Sequence, residues 1–253
     1  MPWHVRYLQH DFGTDGRGHA VACPYTFMLM EYISRLYDFL DELGRHNDRP
    51  WFQAHKDTYD ELRAAWLADI DRMISLMAAW DARLAGCEGR KAMYRIYRDT
   101  RFSLDKTPYK THFAAALSPT GQRDKGAGYY IQLGSGKQVD SGLYGGIWCP
   151  PMPELTKLRR AIVDNIEEFE EIISDKRLLR YFPDWVGETL KTVPKGWDRN
   201  HPLAELLRRK DYGREHPVGR DFYMDPSWPE RAAEIFHTIA PLVEFINYSL
   251  YEE

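Results

Sequence analysis

The spacing of apolar residues changes twice along this chain, and these changes limit the folds that it can adopt. Up to residue 84, apolar side chains recur every three or four positions, which is typical of amphipathic helices. We predict one helix over 32–43 and a long second helix from Pro50, which suits a first helical turn, to Leu84. The stripe of the second helix consists of Phe52, His55, Tyr59, Leu62, Trp66, Ile70, Met73, Met77, Trp80 and Leu84.

Strand-like alternation replaces the helical spacing after Gly89. Four short runs are typical of strands, at 91–99, 112–119, 128–136 and 141–150. The short gaps between them favour antiparallel connections over crossover units. Aromatic residues occur on both faces of these runs, so we expect helices to cover one face and a ligand or lid to cover the other.

Helical spacing returns at 153–173, at about 200–210 and at 227–250. The whole pattern predicts an α+β fold, in which an antiparallel sheet in the middle of the chain is packed by N-terminal and C-terminal helices. We expect a single domain over residues 31–253. Residues 1–30 show no clear period and indicate a poorly ordered or extra N-terminal arm, in which a later methionine is an alternative start of translation.

Composition argues against several classes of function. The net charge of −4 and pI near 6.2 argue against a general binder of nucleic acid or anionic membranes, so any recognition of anions has to be local. Three widely separated cysteines fit reduced thiols in the cytosol better than a disulfide framework. No apolar run reaches the roughly 18 residues that a membrane span needs. We therefore expect a cytoplasmic protein with no membrane segment.

The segment 95–111 concentrates positive charge in this slightly acidic chain. Pro108 restricts its own backbone and that of the preceding residue, which makes the segment semi-rigid. Arginine binds carboxylate or phosphate with two prongs, lysine adds point charges, and aromatic rings offer stacking surfaces. The segment is therefore a candidate anion clamp, to which we assign Arg95, Arg98, Asp99, Arg101, Lys106, Tyr109 and Lys110. Asp99 would orient an arginine or serve as a general base.

A structural role for the same charges is an equally direct interpretation. Arg98 and Arg101 can pair with Asp99, with Asp105 or with the acidic stretch 167–171, which would fix the loop to the domain. Networks of this kind give local specificity more than stability. Both interpretations stay open at the level of sequence.

Other elements can contribute to the same pocket. Lys195 and Gly196 lie in a turn-like stretch where glycine permits close backbone approach. Tyr130 lies on a predicted strand and can stack or donate a hydrogen bond, and the glycines of 142–148 leave room above a sheet. The chain has no phosphate loop, nucleophile elbow or metal-binding histidine pair, so we expect no metal, while the cofactor and the catalytic residues stay unknown.

The chain resembles the family catalogued as domain of unknown function 2461, which consists of conserved hypothetical proteins, mainly bacterial and some fungal. The resemblance covers about residues 36–250 and is carried by NDRPWFQAHKDTYDEL, RIYRDTRFSLDKTPYKTHFAAALS, GYYIQL, GLYGGIW, LRRAI and LKTVPKGWDRNHPLAELLRRKDY. It implies a cytosolic α+β protein of one domain and no established reaction. The family motifs cover every candidate residue of the basic segment, together with Lys195 and Gly196.

Two functions follow as hypotheses. In the first, the basic segment binds a phosphorylated or carboxylated small molecule. In the second, the protein is a non-enzymatic interaction module, and the basic segment is a brace of salt bridges. Nucleic-acid binding is disfavoured by the acidic pI, although an aromatic sheet face next to a basic loop allows it physically. The oligomeric state is left open.

Overall fold

The computed structural model describes residues 24–121, 125–136 and 139–251. Residues 1–23 of the predicted N-terminal arm lie outside this part of the chain. The helices are α1 (Pro24–Arg45), α2 (Arg49–Ala54), α3 (Lys56–Met77), α4 (Gly89–Ala92), α5 (Met152–Asp164), α6 (Ile166–Ser174), α7 (Lys176–Tyr181), α8 (Ala204–Leu207), α9 (Arg220–Met224) and α10 (Trp228–Tyr251), with a 3-10 helix at Ala82–Gly86. The strands are β1 (His112–Leu117), β2 (Gly128–Gly134), β3 (Ser141–Ile147) and β4 (Tyr212–Val218).

The predicted fold class is confirmed. The four strands form one antiparallel sheet in the order β1-β2-β3-β4, with helices before and after it in the chain. Three of these strands, β1 to β3, lie within the runs predicted from alternation. Because sequential strands are neighbours, the sheet needs only the short connections that the turn-rich gaps indicated, apart from the helical excursion before β4.

One prediction about the sheet was wrong, and one strand was not predicted. Residues 91–99 form no regular strand: they end α4 and then touch the edge of the sheet through isolated bridges, Met93 with Ala115 and Tyr97 with Tyr109. In turn, β4 was not predicted, because charged residues and Pro217 hide its alternation. The proline is tolerated there because β4 is an edge strand, where one missing N–H breaks no ladder.

The helix predicted over 32–43 extends over Pro24–Arg45, and that predicted over 227–250 is α10, but three other predicted helices are interrupted or shorter. The long helix expected from Pro50 to Leu84 is interrupted at His55, and its main part ends at Met77. Asp48 caps α2, since its carboxylate accepts the Trp51 N–H at 2.8 Å. Similarly, the helix expected over 153–173 is broken at one residue into α5 and α6, and only α8 is helical in the stretch 200–210.

The core lies between the sheet and the long helices. Every second residue of β2 and β3, such as Tyr129, Ile131 and Leu143, faces this core, and α10 crosses the same face of the sheet. Trp66 of α3 stacks on Trp228 of α10, with ring centroids 5.0 Å apart, so both helices pack as one layer. The opposite face of the sheet is therefore not covered by these two helices.

The contact between β3 and α10 is close enough to require glycine. A Cβ atom placed on Gly145 would lie 2.6 Å from Cγ2 of Ile239. We predict that Gly145→Ala lowers the free energy of unfolding by about 1–3 kcal/mol through overpacking. Ile239→Ala alone should destabilise by leaving a cavity, but the double variant should lose less than the sum of the two, which denaturant unfolding can measure. Gly86→Ala is the matched control, because nothing lies within 4 Å of its added Cβ; additive effects would contradict the close contact.

Candidate functional site

The uncovered face of the sheet carries a cleft of about 720 Å³. Its floor is a row of residues that are direct neighbours across four strands: Ala116 of β1, Tyr130 of β2, Tyr144 of β3 and Glu215 of β4. Tyr94 extends this row beyond β1, and its ring contacts that of Tyr130 at 6.0 Å between centroids. The floor is thus aromatic over most of its length and ends in a carboxylate.

Glycines on both sides of this row make room for the larger side chains. A Cβ on Gly213 would lie 2.0 Å from the Tyr144 hydroxyl, so that hydroxyl occupies the space that a side chain would fill. A Cβ on Gly142 would lie 2.8 Å from Oε1 of Glu215, so this carboxylate leans over the neighbouring strand. The glycines therefore decide where the polar atoms of the floor are placed.

The rim beyond β3 is a turn held by a buried carboxylate. Cys149 has a left-handed backbone with φ 46°, and its N–H donates to Oδ1 of Asp211 at 2.6 Å. The other oxygen of Asp211 accepts the Glu188 N–H at 3.1 Å. This anchor fixes the preceding residue, Trp148, whose side chain is 61% exposed beside the cleft. Lys125 lines the cleft as well.

The tyrosines of the floor stay neutral over the physiological range. Burial is the main reason that the pKa values of Tyr94, Tyr130 and Tyr144 are raised. Tyr94 raises that of Tyr130 further and Asp211 that of Tyr144, with smaller contributions from Glu215 to both. Tyr130 donates to Oε1 of Gln132 at 2.6 Å. The hydroxyl of Tyr144 is buried and has no hydrogen-bond partner among the described residues.

The charges at the tip of the basic segment are largely paired within the segment. Arg101 binds Asp99 with two prongs, at 2.9 Å from Nε to Oδ1 and 2.6 Å from Nη2 to Oδ2. Arg98 binds the Asp105 carboxylate and also reaches the side chain and the carbonyl of Thr107. These ion pairs agree with the interpretation in which Arg98 and Arg101 brace the loop and bind no ligand.

Two further residues of the tip are also bound or buried. Lys106 donates to the Thr100 carbonyl at 2.8 Å. The ring of Tyr109 is buried and stacks on Phe52 with centroids 4.1 Å apart, so it packs into the core. The Asn47 side chain clamps the Tyr109 backbone through both its N–H and its carbonyl, at 3.0 and 2.9 Å. The end of the loop is therefore fixed to the domain.

Lys110 and Arg95 differ from these cations. The Lys110 ammonium lies 5.0 Å from the centre of the Tyr94 ring, and its pKa is lowered by burial and by the nearby Arg95. Neither cation forms an ion pair with another described residue, and both oxygens of nearby Asp99 are occupied by Arg101. His112 lies close by, with its pKa lowered to about 4 by burial and by Lys110, so it is neutral at neutral pH. The Lys110 ammonium therefore has no ion-pair partner among the described residues, whereas Arg95 lies within reach of the charge of Asp99, which pairs with Arg101.

The predicted site residues thus separate into three groups. Tyr130 lines the cleft. Lys110 and Arg95 do not line it, but the Lys110 ammonium lies over the ring of Tyr94, which does, and Arg95 follows Tyr94 in the chain. The other five residues of the basic segment, Arg98, Asp99, Arg101, Lys106 and Tyr109, are engaged within the loop or the core. Lys195 and Gly196 occupy an exposed turn in which Gly196 has φ 100°, and no contact given for the described residues joins this turn to the cleft.

The sequence analysis assigned only Tyr130 among the residues that line the cleft, and it did not assign the larger side chains Tyr94, Tyr144, Trp148 and Glu215. The glycines of GLYGGIW were a usable signal, since Tyr144 stands between Gly142 and Gly145–Gly146 on one strand, and a large residue among glycines indicates an open face. Glu215 had no signal because its strand was not recognised. No three His, Cys, Asp or Glu side chains in the described ranges gather as a metal site.

The family described as "Conserved hypothetical protein (DUF2461)" matches residues 35–245. No curated protein and no solved structure matches the chain. Within the described part of the chain, no helix is both long and apolar enough to cross a membrane.

The loop contacts predict two different responses to the loss of an arginine. The pKa values of Asp99 and Asp105 are both lowered to about 2, for Asp99 mainly by the Arg101 side chain and for Asp105 mainly by the Thr107 N–H. Arg101→Ala should therefore raise the pKa of Asp99 towards its ordinary value, with the backbone N–H of residue 101 keeping part of the shift, whereas Arg98→Ala should raise that of Asp105 by less. Titration of the carboxyl carbons by NMR measures both.

The lowered pKa values of Asp99 and Asp105 also determine how stability changes with pH. Because both carboxylates ionise more readily in the folded protein, their contribution is present above about pH 4 and is lost as the pH falls towards 2. Each variant serves as the control for the other carboxylate. Equal shifts in the two variants, or none, would contradict the contacts described.

Proposed function

The chain belongs to the family of conserved hypothetical proteins DUF2461, and we propose that it binds a small molecule with an anionic group in the cleft on the open face of the sheet. The anionic group, a phosphate or carboxylate, is bound by Lys110 and Arg95 next to Tyr94. The remainder of the ligand lies along the tyrosine row. The unpaired positive charge at the Tyr94 margin is the observation that carries the proposal.

The electrostatics of this margin favour an anion. Burial and Arg95 both disfavour the charged form of Lys110, since each raises the cost of placing an ammonium there. A bound anion offsets both costs at once, because it replaces lost hydration and lies between two like charges. Arginine adds the two-pronged geometry that carboxylate and phosphate accept.

The floor supports a ring or another flat group beyond the anion. Tyr94 and Tyr130 present rings to the cleft, and Ala116 between them leaves space above the sheet. Concave sites with apolar walls and a few placed polar groups are typical of small-molecule binding. We assign binding and no reaction to this cleft. We propose that the protein is cytosolic, because its three widely separated cysteines fit reduced thiols.

A second candidate function is supported by the tip of the basic loop. Phe102 and Leu104 are almost fully exposed there, next to the ion pairs that brace the loop. Large apolar side chains presented on a rigid loop are a feature of protein-contact surfaces. On this view, the protein is a non-enzymatic interaction module, and Arg98 and Arg101 serve as structural braces.

A ligand panel tests the first proposal. Phosphate, sugar phosphates, nucleoside monophosphates and aromatic carboxylates are compared with uncharged analogues by thermal shift and then by calorimetry. We expect at least one anion to raise the melting temperature, and Lys110→Met to weaken its binding by about tenfold, which corresponds to the loss of one charged hydrogen bond. Lys106→Met is the matched control, because that lysine belongs to the same loop and is bound to the Thr100 carbonyl.

Three outcomes separate the candidates. Equal losses in the two lysine variants would show that the anion is attracted by the net charge of the loop and not by the Tyr94 margin. If no anion stabilises the protein, the small-molecule proposal fails. A Phe102→Ser variant that loses a stoichiometric protein partner but keeps its melting temperature would then support the interaction module.

A further inference from the structure

We infer that the part of the cleft above Gly142 is a subsite for neighbouring hydroxyl groups of a sugar or another polyol, bound by Glu215, Gln132 and Tyr130. The inference rests on the proposed use of the cleft for small molecules, but it depends on residues other than Lys110 and Arg95. It narrows the ligand to a molecule in which an anionic group is joined to a hydroxylated part.

Three polar side chains of the cleft meet above Gly142, which has no side chain of its own. Gln132 of β2 is the direct neighbour of Gly142 across the strands, and Tyr130 donates its hydroxyl to Oε1 of Gln132 at 2.6 Å. From the other side, Glu215 of β4 leans over β3, so that its Oε1 lies 2.8 Å from the position of a Cβ on Gly142. All three side chains line the cleft, and they converge there from the two strands that flank β3.

The electrostatics of Tyr130 agree with this convergence. Its pKa is raised first by burial, then by Tyr94, and also by the charge of Glu215, although Tyr144 separates the two residues in the floor. A carboxylate that extends over β3 towards β2 explains why its charge reaches Tyr130. Because the pKa is raised, Tyr130 keeps its proton and remains a hydrogen-bond donor to Gln132.

The hydrogen bonds within this group leave both acceptors and a donor for a ligand. Gln132 donates from Nε2 to the Asp140 carbonyl at 2.8 Å, which leaves the second N–H of the amide for a ligand. The Tyr130 oxygen donates its proton to Gln132 and can still accept a hydrogen bond. The Glu215 carboxylate is exposed and has no hydrogen bond or ion pair with another described residue. The subsite therefore offers several acceptors and one donor close together.

Hydroxyl groups fit this set better than an ammonium group or a metal ion. A hydroxyl donates to a carboxylate and accepts from an amide N–H at the same time, whereas an ammonium group only donates and would leave the Gln132 N–H without a partner. Calcium and magnesium ions need several oxygen ligands, and Glu215 is the only carboxylate among the cleft residues in the described part of the chain. A carboxylate that accepts from sugar hydroxyls is also found in dinucleotide sites, where it binds ribose.

Gln132 is held in place before any ligand binds. The Tyr223 hydroxyl donates to its backbone carbonyl at 2.8 Å, and its side chain is held at one end by Tyr130 and at the other by Asp140. A side chain that is already fixed loses little conformational freedom on binding. A site with placed polar groups also disfavours a ligand that lacks the matching hydroxyl, since a polar group is then left unpaired. We therefore expect this subsite to distinguish sugars that differ by one hydroxyl.

Neutral methyl glycosides test the subsite without the anionic group. The methyl glycosides of ribose, glucose, galactose and mannose are titrated into the full chain, and NMR chemical shifts measure their affinities. We expect at least one of them to bind, and its analogues that lack one of two neighbouring hydroxyls to bind about tenfold more weakly. Glu215→Met and, separately, Gln132→Met remove the polar atoms at similar side-chain length, and each should weaken binding of the glycoside by a similar factor.

Two control variants make the result specific. Glu205→Met removes an exposed carboxylate that pairs with Arg208 and does not line the cleft, so glycoside binding should not change. Lys110→Met should also leave the binding of a neutral glycoside unchanged, while it weakens binding of the anion. Melting temperatures confirm that each variant is folded.

The failures of the two proposals are distinguishable. The hydroxyl subsite is overturned if none of the four glycosides binds, if the deoxy analogues bind as tightly as the parent sugar, or if either methionine variant in the subsite keeps full affinity. Anion binding would still be judged by the Lys110 variant. Glycoside binding that depends on Glu215 and Gln132, without any anion binding, would keep the subsite and refute the anionic ligand.

Discussion

The close packing of α10 on one face of the sheet is the constraint on which the rest of the structure depends. Successive residues of a strand point to opposite faces, so once Ile131 and Leu143 are buried under the helices, Tyr130 and Tyr144 must point the other way. A register shift of one residue would bury the tyrosines and expose the core. The cleft is therefore a direct consequence of the burial of the opposite face. The free energy gained by packing the core fixes the register that keeps the tyrosines on the open face.

This dependence explains how much could be predicted. The alternation of apolar residues was sufficient to find β1 to β3 and the α+β class, because one face of each strand is buried. It failed for β4, where Arg214 is buried by hydrogen bonds to backbone carbonyls and a stack on Trp185, so a charged residue occupies a core-facing position. It also failed at residues 91–99, where alternation was present but only isolated bridges form. The alternation of apolar residues predicts which side chains are buried. It does not predict how many backbone hydrogen bonds the segment forms with its neighbours.

The sequence was also insufficient to predict which charges of the candidate site are neutralised. The sequence showed a concentration of cations at 95–111, but it did not show which of them were neutralised. In the structure, the choice depends on local backbone geometry: Asp99 accepts from Arg101 two residues later, and Asp105 accepts from the Thr107 N–H and from Arg98. Lys110 instead lies beside Tyr94, where its pKa is lowered by burial and by the charge of Arg95. The cations of this segment thus have two different roles: Arg98 and Arg101 brace the loop, and Arg95 and Lys110 are candidates for anion binding.

The two ends of the cleft then follow from the alternation of side chains at the two margins of the sheet. At one margin, the irregular segment after α4 places Tyr94 beside β1, and the Lys110 ammonium lies over the Tyr94 ring. At the other margin, Trp185 bridges β4 at the buried Arg214, and the next residue, Glu215, points to the opposite face and lines the cleft. Isolated bridges thus cover both edges of the sheet, and the charged side chains reach the cleft because they alternate with buried residues. The tyrosines between them provide a neutral floor that separates the two margins.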